Sequence, residues 1–252
     1  MKAPIVLTRP QGPHFGNKKL AQKLEALGFE VILLPLLQCV EVSFSDEIRE
    51  ALETAAVSDS KVWISLSSPT AVYIWHGVTT KHPSLLKITS TAELVGQGSG
   101  TAAAVRECFG REVAFVPREF IAEEFARELA SRVGGDDIVL VPQAEHGRNV
   151  VAPFLEEHNR NVLSFVTYRF ERVHVSEEEL AGISADSVIV FMSPSAVRAL
   201  SNRSESLLQN RRIVSIGPIT SSAVREAGFC VWREAREYSE QGIIDVLSEP
   251  EW

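Results

Sequence analysis

The sequence predicts an α/β fold built of two similar doubly wound parallel-sheet domains, one inserted in the other and joined by a two-stranded hinge. Three observations predict it. A strand, a Ser-Pro turn and a helix-like segment occur twice, at Val62–Leu66 with Ser67-Ser68-Pro69 and at Val188–Phe191 with Ser193-Pro194-Ser195. A Gly-containing turn follows each at a similar distance, Gly96-Gln97-Gly98-Ser99-Gly100-Thr101 and Gly217-Pro218-Ile219-Thr220, and matched features in the same order indicate an internal duplication. Two extended stretches, Leu36–Val42 and Val162–Val173, lack turn signals and read as crossings between the domains.

Taken in order, Ile5–Thr8 is a short buried strand by composition. His14–Leu27 follows with helical spacing of Phe15, Leu20, Leu24 and Leu27, and Gly28 stops it. Val31–Leu34 completes a β-α-β unit ending at Pro35. Past the first crossing, a helix near Asp46–Ala55 leads into five strand candidates: Val62–Leu66, Glu93–Val95, Val113–Val116, Ile138–Val141 and Val162–Val166. Helical patterns separate them, such as the apolar face of Phe125, Leu129 and Val133. Strands alternating with helices predict a parallel sheet covered on both faces. After the return crossing come strands at Val188–Phe191, Ile213–Ile216 and Val231-Trp232 and a last helix at Glu240–Ser248.

The halves correspond when one is permuted. Ile138-Val139-Leu140-Val141-Pro142 echoes Ile5-Val6-Leu7-Thr8-Arg9-Pro10, and the helix Ala122–Ser131 echoes Glu240–Ser248. The predicted first domain is therefore discontinuous, residues 1–37 with 170–252, and residues 38–169 form the inserted second domain. Paired linkers make a hinge, and a ligand is expected between the domains.

The composition bounds function. The chain has 252 residues, 45% of them hydrophobic, a formal charge of −8 and a pI near 5.4. An acidic chain disfavours nucleic acid and anionic membranes as main partners. No apolar run is long enough to span a bilayer, and Ile5-Val6-Leu7 is too short for a secretory core. Cys39, Cys108 and Cys230 show no metal-like spacing and suit a reducing, cytoplasmic setting.

In open parallel sheets ligands bind beyond the carboxyl ends of the strands. The loops there carry Thr8 and Arg9, Ser67 and Ser68, Gly96 to Thr101, Gln143 to Arg148, Ser193 and Ser195, and Gly217 to Thr220. Hydroxyls, small residues and helix starts of this kind suit carboxylates or phosphates. Ser68, Ser193, Thr101 and Thr220 read equally as helix caps or as ligand contacts. Arg9 and Arg148 follow strand ends in corresponding positions, as solvated side chains or as cations for an anion. His14 and His146 read as loop residues. Tyr168 lies in the return crossing, as a packed hinge residue or as a phenol facing a ligand. No His pair or Cys cluster invites a metal, and no Gly-x-Ser-x-Gly elbow is present. The Gly96–Gly100 loop lacks the full dinucleotide spacing, although Glu119 and Glu123 lie at about the separation of a ribose ligand.

Together, Val6-Leu7-Thr8-Arg9-Pro10, Ser68-Pro69-Thr70-Ala71-Val72, Val95-Gly96 with Thr101-Ala102, Gly147-Arg148, Val166-Thr167-Tyr168, Ser193-Pro194-Ser195-Ala196-Val197 and Ile216-Gly217-Pro218 with Thr220 resemble the uroporphyrinogen-III synthase family over the whole chain. The departures are local: Leu66-Ser67 stands where Phe-Thr is usual, the Gly96–Thr101 loop is slightly longer, and His146 replaces a small residue. The resemblance implies two domains on a two-stranded hinge and a cofactor-free hydro-lyase of tetrapyrrole (haem) biosynthesis. It implies that hydroxymethylbilane, which carries eight carboxylates, closes to uroporphyrinogen III with ring D inverted and water lost. It implies a catalytic role for Tyr168, and substrate binding by Thr8, Arg9, Ser67, Ser68, Gly96, Thr101, Arg148, Ser193, Ser195, Gly217 and Thr220. A monomer in transient contact with the preceding pathway enzyme is expected. The rival expectation is a hinge-type protein that binds an anionic small molecule without chemistry.

Overall fold

A computed structural model describes residues 2–12, 17–119, 121–201 and 208–249. In chain order the elements are β1 (Ile5–Leu7), α1 (Asn17–Ala26), β2 (Val31–Leu33), β3 (Leu37–Glu41), α2 (Asp46–Val57), β4 (Val62–Leu66), α3 (Pro69–Lys81), α4 (Pro83–Thr91) and β5 (Glu93–Gly96). There follow α5 (Ser99–Phe109), α6 (Ala122–Arg132), β6 (Ile138–Ala144), α7 (Val151–Glu157), β7 (Asn161–Arg172), α8 (Glu177–Ala181) and β8 (Val188–Phe191). The chain ends through α9 (Pro194–Ser201), β9 (Arg212–Ser215), α10 (Pro218–Glu226), β10 (Arg233–Glu234) and α11 (Glu240–Ser248). His14 and Phe15, which the sequence assigns to the first helix, lie outside the described residues.

The chain divides into two compact units, Met1–Cys39 with Glu171–Trp252, and Val40–Phe170. β3 and β7 run through the two boundaries.

The first sheet has the order β10-β9-β8-β1-β2, and each neighbouring pair runs parallel. Apart from the edge strand β10, its strands are short and mostly apolar, so alternate residues enter opposite cores. Ile5, Leu7, Val188, Val190 and Val214 pack beneath Leu20 and Leu24 of α1 and Ile243 and Leu247 of α11. Val6, Ile189, Phe191 and Ile213 face α9 and α10 through Val197, Leu200 and Val224. Burial of both strand faces explains the continuous Val/Ile/Leu runs. β8 crosses to the far side of β1 from β2, so the switch point of this doubly wound sheet lies at β1 and β8.

The second sheet has the order β3-β7-β6-β4-β5. Its stretch β7-β6-β4-β5 repeats β2-β1-β8-β9 in the permuted sense, which puts its switch point at β6 and β4. One face packs Trp63, Val95, Val139 and Val141 against Phe125 and Leu129 of α6 and Leu155 of α7.

Two strand expectations are corrected. Val113–Val116 is not a strand, and β3 supplies the fifth strand at the opposite edge. The segment reaches β5 through the Ala114 N–H to the Leu94 carbonyl, 2.7 Å. Phe115 then turns into the core against Phe125, at 5.7 Å between centroids, and Pro117 has no donor to continue a ladder. The final strand lies at Arg233–Glu234 rather than Val231-Trp232, paired with Val214 and Ser215. Ser221 of α10 ties this edge together, its hydroxyl 2.6 Å from that of Ser215 and donating to Glu234.

Candidate functional site

In each unit the carboxyl ends of the strands open into helix starts, and these fall into two kinds. α3 and α9 begin with Pro after a serine cap. The Ser68 hydroxyl accepts from the Ala71 N–H at 3.1 Å, and the Ser193 hydroxyl from the Ala196 N–H at 3.2 Å. These two serines are engaged as caps. α5 and α10 begin after Gly98 and Gly217, and neither has a side-chain cap hydrogen bond. First-turn amides have no carbonyl four residues back to bond, so these two helix starts offer N–H groups and a positive dipole end to an anion. They occupy equivalent places, after β5 and after β9.

Thr101 and Thr220 are not the caps that their sequence position suggested. Each is the third helical residue and only 3% exposed. Thr101 packs on Gly96, where a Cβ would lie 3.3 Å from the threonine Cγ2. The bare helix starts thus rest on glycine backbone and a buried threonine.

The two corresponding arginines are also held alike. Arg9, after β1, pairs with Glu240 in the first turn of α11, and Arg148, after β6, pairs with Glu123 in the first turn of α6. The carboxylates sit where the helix dipole favours them. The first pair is partly buried, with side-chain exposures of 19% and 35%, whereas the second lies in solvent at 75% and 44%. Each guanidinium is thereby oriented by an acid. His146 is exposed, 3.4 Å from Glu145.

Thr8 is fully buried, and its hydroxyl donates to the Val190 carbonyl at 2.7 Å, which joins β1 to β8 at the switch point. That contact is structural. Ser67 is exposed, and so is Ser195, which accepts from Arg198 at 3.5 Å. A depression of about 430 Å³ runs between α9 and α10, from Pro194 and Pro218 at their starts to Glu226 at the end of α10. A larger one of about 750 Å³, lined by Lys2, Phe29, Arg212 and Trp232 among others, lies at the amino ends of the strands. The carboxyl-end rule favours the smaller depression.

Tyr168 lies in β7, 5% exposed, edge-on to Phe170 at 5.7 Å. The register with β6 slips between Gln143 and Ala144, so that Gln143 faces Val166 and Ala144 faces Tyr168. Thr167 is the extra residue, and its hydroxyl donates to the Gln143 carbonyl at 3.3 Å. A bulge of this kind re-aims the side chain that follows it, and here the neighbours Thr167 and Tyr168 are both buried.

Sequence reasoning missed Glu240 and weighed Glu123 only as a ribose ligand. The signal was an acid in the first turn of the last helix of each repeat. It also missed Tyr238, whose ring lies against Gly217. Among the described residues no group of three or more His, Cys, Asp or Glu is placed to hold a metal ion, and no helix is long and apolar enough to cross a membrane.

The sequence model of the uroporphyrinogen-III synthase HemD family matches residues 18–245. The chain belongs to that family. A uroporphyrinogen-III synthase of Synechococcus elongatus is 25% identical over 257 residues, spanning 97% of this chain and 94% of that protein. Among solved structures, the uroporphyrinogen-III synthetase of Helicobacter pylori superposes with a TM-score of 0.66 at 18% identity, covering 97% of each chain. A mutant uroporphyrinogen III synthase of Thermus thermophilus gives 0.56 at 16% identity over 96% of each. These two share the fold, with its paired five-stranded sheets. Within the uroporphyrinogen-III synthase family, a chain of this kind is a hydro-lyase of porphyrin biosynthesis, and the family's substrate is hydroxymethylbilane.

Proposed function

We propose that this uroporphyrinogen-III synthase works chiefly by holding a flexible, multiply anionic tetrapyrrole in the conformation that closes with ring D inverted. The observation that carries this reading is the pair of bare, glycine-started helices, α5 and α10, in a chain matched to the family over nearly its whole length. Their amides and the guanidiniums of Arg9 and Arg148 suit the eight carboxylates of hydroxymethylbilane. The chemical step asks little of side chains. The terminal ring opposite ring D carries the hydroxymethyl group and loses its hydroxyl as water to give an electron-poor azafulvene. The substituted carbon of ring D attacks that methylene carbon, and the spiro intermediate breaks its bond toward ring C, recloses at the free carbon of ring D and loses a proton, which leaves ring D inverted. Proximity and orientation supply most of the acceleration. Tyr168 donates a hydrogen bond to the departing hydroxyl. Gly96, Gly217, Thr101 and Thr220 shape the bare helix starts, Ser68 and Ser193 fix the neighbouring ones, and Ser67 and Ser195 present exposed hydroxyls beside them. Thr8 acts on the substrate only through the backbone it ties.

The protein is further proposed to act in the cytoplasm as a monomer that takes its reactive substrate from the preceding enzyme. Three cysteines without a disulfide suit that compartment.

The test is product analysis. Incubated with hydroxymethylbilane, the chain is expected to yield the type III isomer. If only the spontaneous type I isomer forms, the synthase reading fails and the rival, a binding protein for an anionic small molecule, takes its place.

A further inference from the structure

Tyr238 is 69% exposed, yet its ring is closely placed. It lies on the α-carbon of Gly217, where an added Cβ would stand 2.8 Å from Cδ1 and 3.0 Å from Cε1. No side chain larger than hydrogen fits there without moving the ring. The backbone beside it is held as firmly. Ser239 caps α11, its hydroxyl accepting from the Gly242 N–H at 3.1 Å, and the Ser239 N–H donates to the Glu237 carbonyl at 2.8 Å. Gly242 leaves room for that carbonyl, since a Cβ there would stand 2.0 Å from it. Glu240 then reaches Arg9. Residues 237–240 are therefore a strap. It touches the end of β9 through Gly217 and the end of β1 through Arg9, and β8, with its Ser193 cap, lies between those strands.

A large aromatic fixed on one face and open on the other is out of place on an ordinary surface. Such rings mark contact surfaces where they stand beside other exposed apolar groups. Ile219, two residues past Gly217, is 78% exposed. The second unit repeats the arrangement. Ile121, 49% exposed, stands two residues before Glu123 just as Tyr238 stands two before Glu240, and Glu123 holds Arg148 as Glu240 holds Arg9.

We infer that Tyr238 is a substrate-contacting residue of the synthase: its open face, with Ile219, receives a pyrrole ring whose carboxylates extend to the bare start of α10 and to Arg9. A pyrrole with charged arms needs this pairing of a flat apolar seat and cationic or N–H groups around it. The inference rests on the function proposed above and adds to it the residue that reads ring rather than charge. No hydrogen bond of the Tyr238 hydroxyl is formed among the described residues, so the ring, and not the hydroxyl, is the working part.

Steady-state kinetics with hydroxymethylbilane and isomer analysis test this. Tyr238→Ala should raise KM about tenfold with kcat changed less than about threefold, the size expected for one lost ring contact. Tyr238→Phe should stay within about twofold of wild type in both. Gly217→Ala displaces the ring without deleting it and should raise KM alike. In the Tyr238→Ala background it should add less than about twofold, because the ring it displaces is gone. A KM for Tyr238→Ala within about twofold of wild type, with type III product intact, overturns the inference and leaves the synthase reading standing. Should Tyr238→Ala not fold, an unchanged KM for Gly217→Ala overturns it equally. A wild-type chain that yields only type I isomer removes the synthase reading, and the inference with it.

Discussion

Arg9 and Glu240, separated by 231 residues in the chain, form an ion pair in which the arginine side chain is only 19% exposed. Its counterpart in the repeat, Arg148 with Glu123, is 75% and 44% exposed. The difference in burial decides what each is worth to stability. An exposed pair contributes about 0–1 kcal/mol. Removing one member of a partly buried pair also strands a charge out of water, which costs about 1–3 kcal/mol. Glu240→Gln is therefore expected to lower stability by about 1–2 kcal/mol in denaturant titration, and Glu123→Gln by less than about 0.5 kcal/mol. Equal losses would show that burial does not separate the two pairs.

The Glu237 carbonyl makes Gly242 irreplaceable. An Ala at this helical position would gain about 1 kcal/mol of helix propensity. It would also place a methyl 2.0 Å from a backbone oxygen and 2.9 Å from the Glu237 carbonyl carbon, so the strap must move. Overpacking of this kind costs about 1–3 kcal/mol, and the net result should be a loss of stability. Gly135 is the control, because a Cβ there meets nothing within 4 Å. Gly135→Ala should stay within about 0.5 kcal/mol of wild type. Thermal unfolding of both variants checks this, and a Gly242→Ala protein as stable as wild type would mean that the strap adjusts freely.

The doubly wound fold was legible because its signals are local. Short Val/Ile/Leu runs, Pro at the start of α3 and α9, and glycine after β5 and β9 each announce themselves within a few residues. The fifth strand of the second sheet was not, because Val113–Val116 has strand composition. Only the tertiary placement of Phe115 and the missing N–H of Pro117 keep it out. The bulge opposite Gln143 and Ala144 has no glycine to mark it. At the candidate site the loops were legible and the partners were not. Arg9 and Arg148 read as cations, but the carboxylates that hold them lie 231 and 25 residues away. The capping role was visible for Ser68 and Ser193. It was misplaced onto Thr101 and Thr220, since a threonine three residues inside a helix looks like one that starts it.

The cysteines should differ in reactivity. Burial pushes the Cys39 thiol up to about 11 from an ordinary 9.0. The Cys108 thiol is also raised, first by burial and then by the charge of Glu107. Cys230 is exposed. Alkylation needs the thiolate, and at pH 8 a thiol of pKa 11 has only about one part in a thousand ionised. Mass-spectrometric mapping with iodoacetamide at pH 8 should find Cys230 modified first and Cys39 last. The folded value lies above the unfolded one. The thiol's contribution to stability is thus complete below about pH 9 and is lost as pH rises toward about 11. Early modification of Cys39 in the native protein would contradict its burial.

Tyr168→Phe addresses the chemical step. The change removes one hydroxyl and keeps the ring that meets Phe170 edge-on, so stability should fall by no more than about 1.5 kcal/mol. If the phenol assists departure of the hydroxymethyl hydroxyl on the terminal ring opposite ring D, kcat should fall while KM stays similar, because the interaction strengthens only as the leaving group departs. Positioned acids are typically worth about 10²–10⁴-fold. The expected loss lies at or below the bottom of that range. A hydroxymethyl group on an electron-rich pyrrole leaves readily, and carboxylic acids of the folded substrate can supply the same proton. Substitutions at the bare helix starts should act on KM instead, since their amides hold carboxylates in the ground state as well as in the transition state. Single-turnover measurement, with chemistry limiting, separates the two. A Tyr168→Phe enzyme with unchanged turnover would remove the phenol from the mechanism and leave the holding of the substrate as the whole of catalysis.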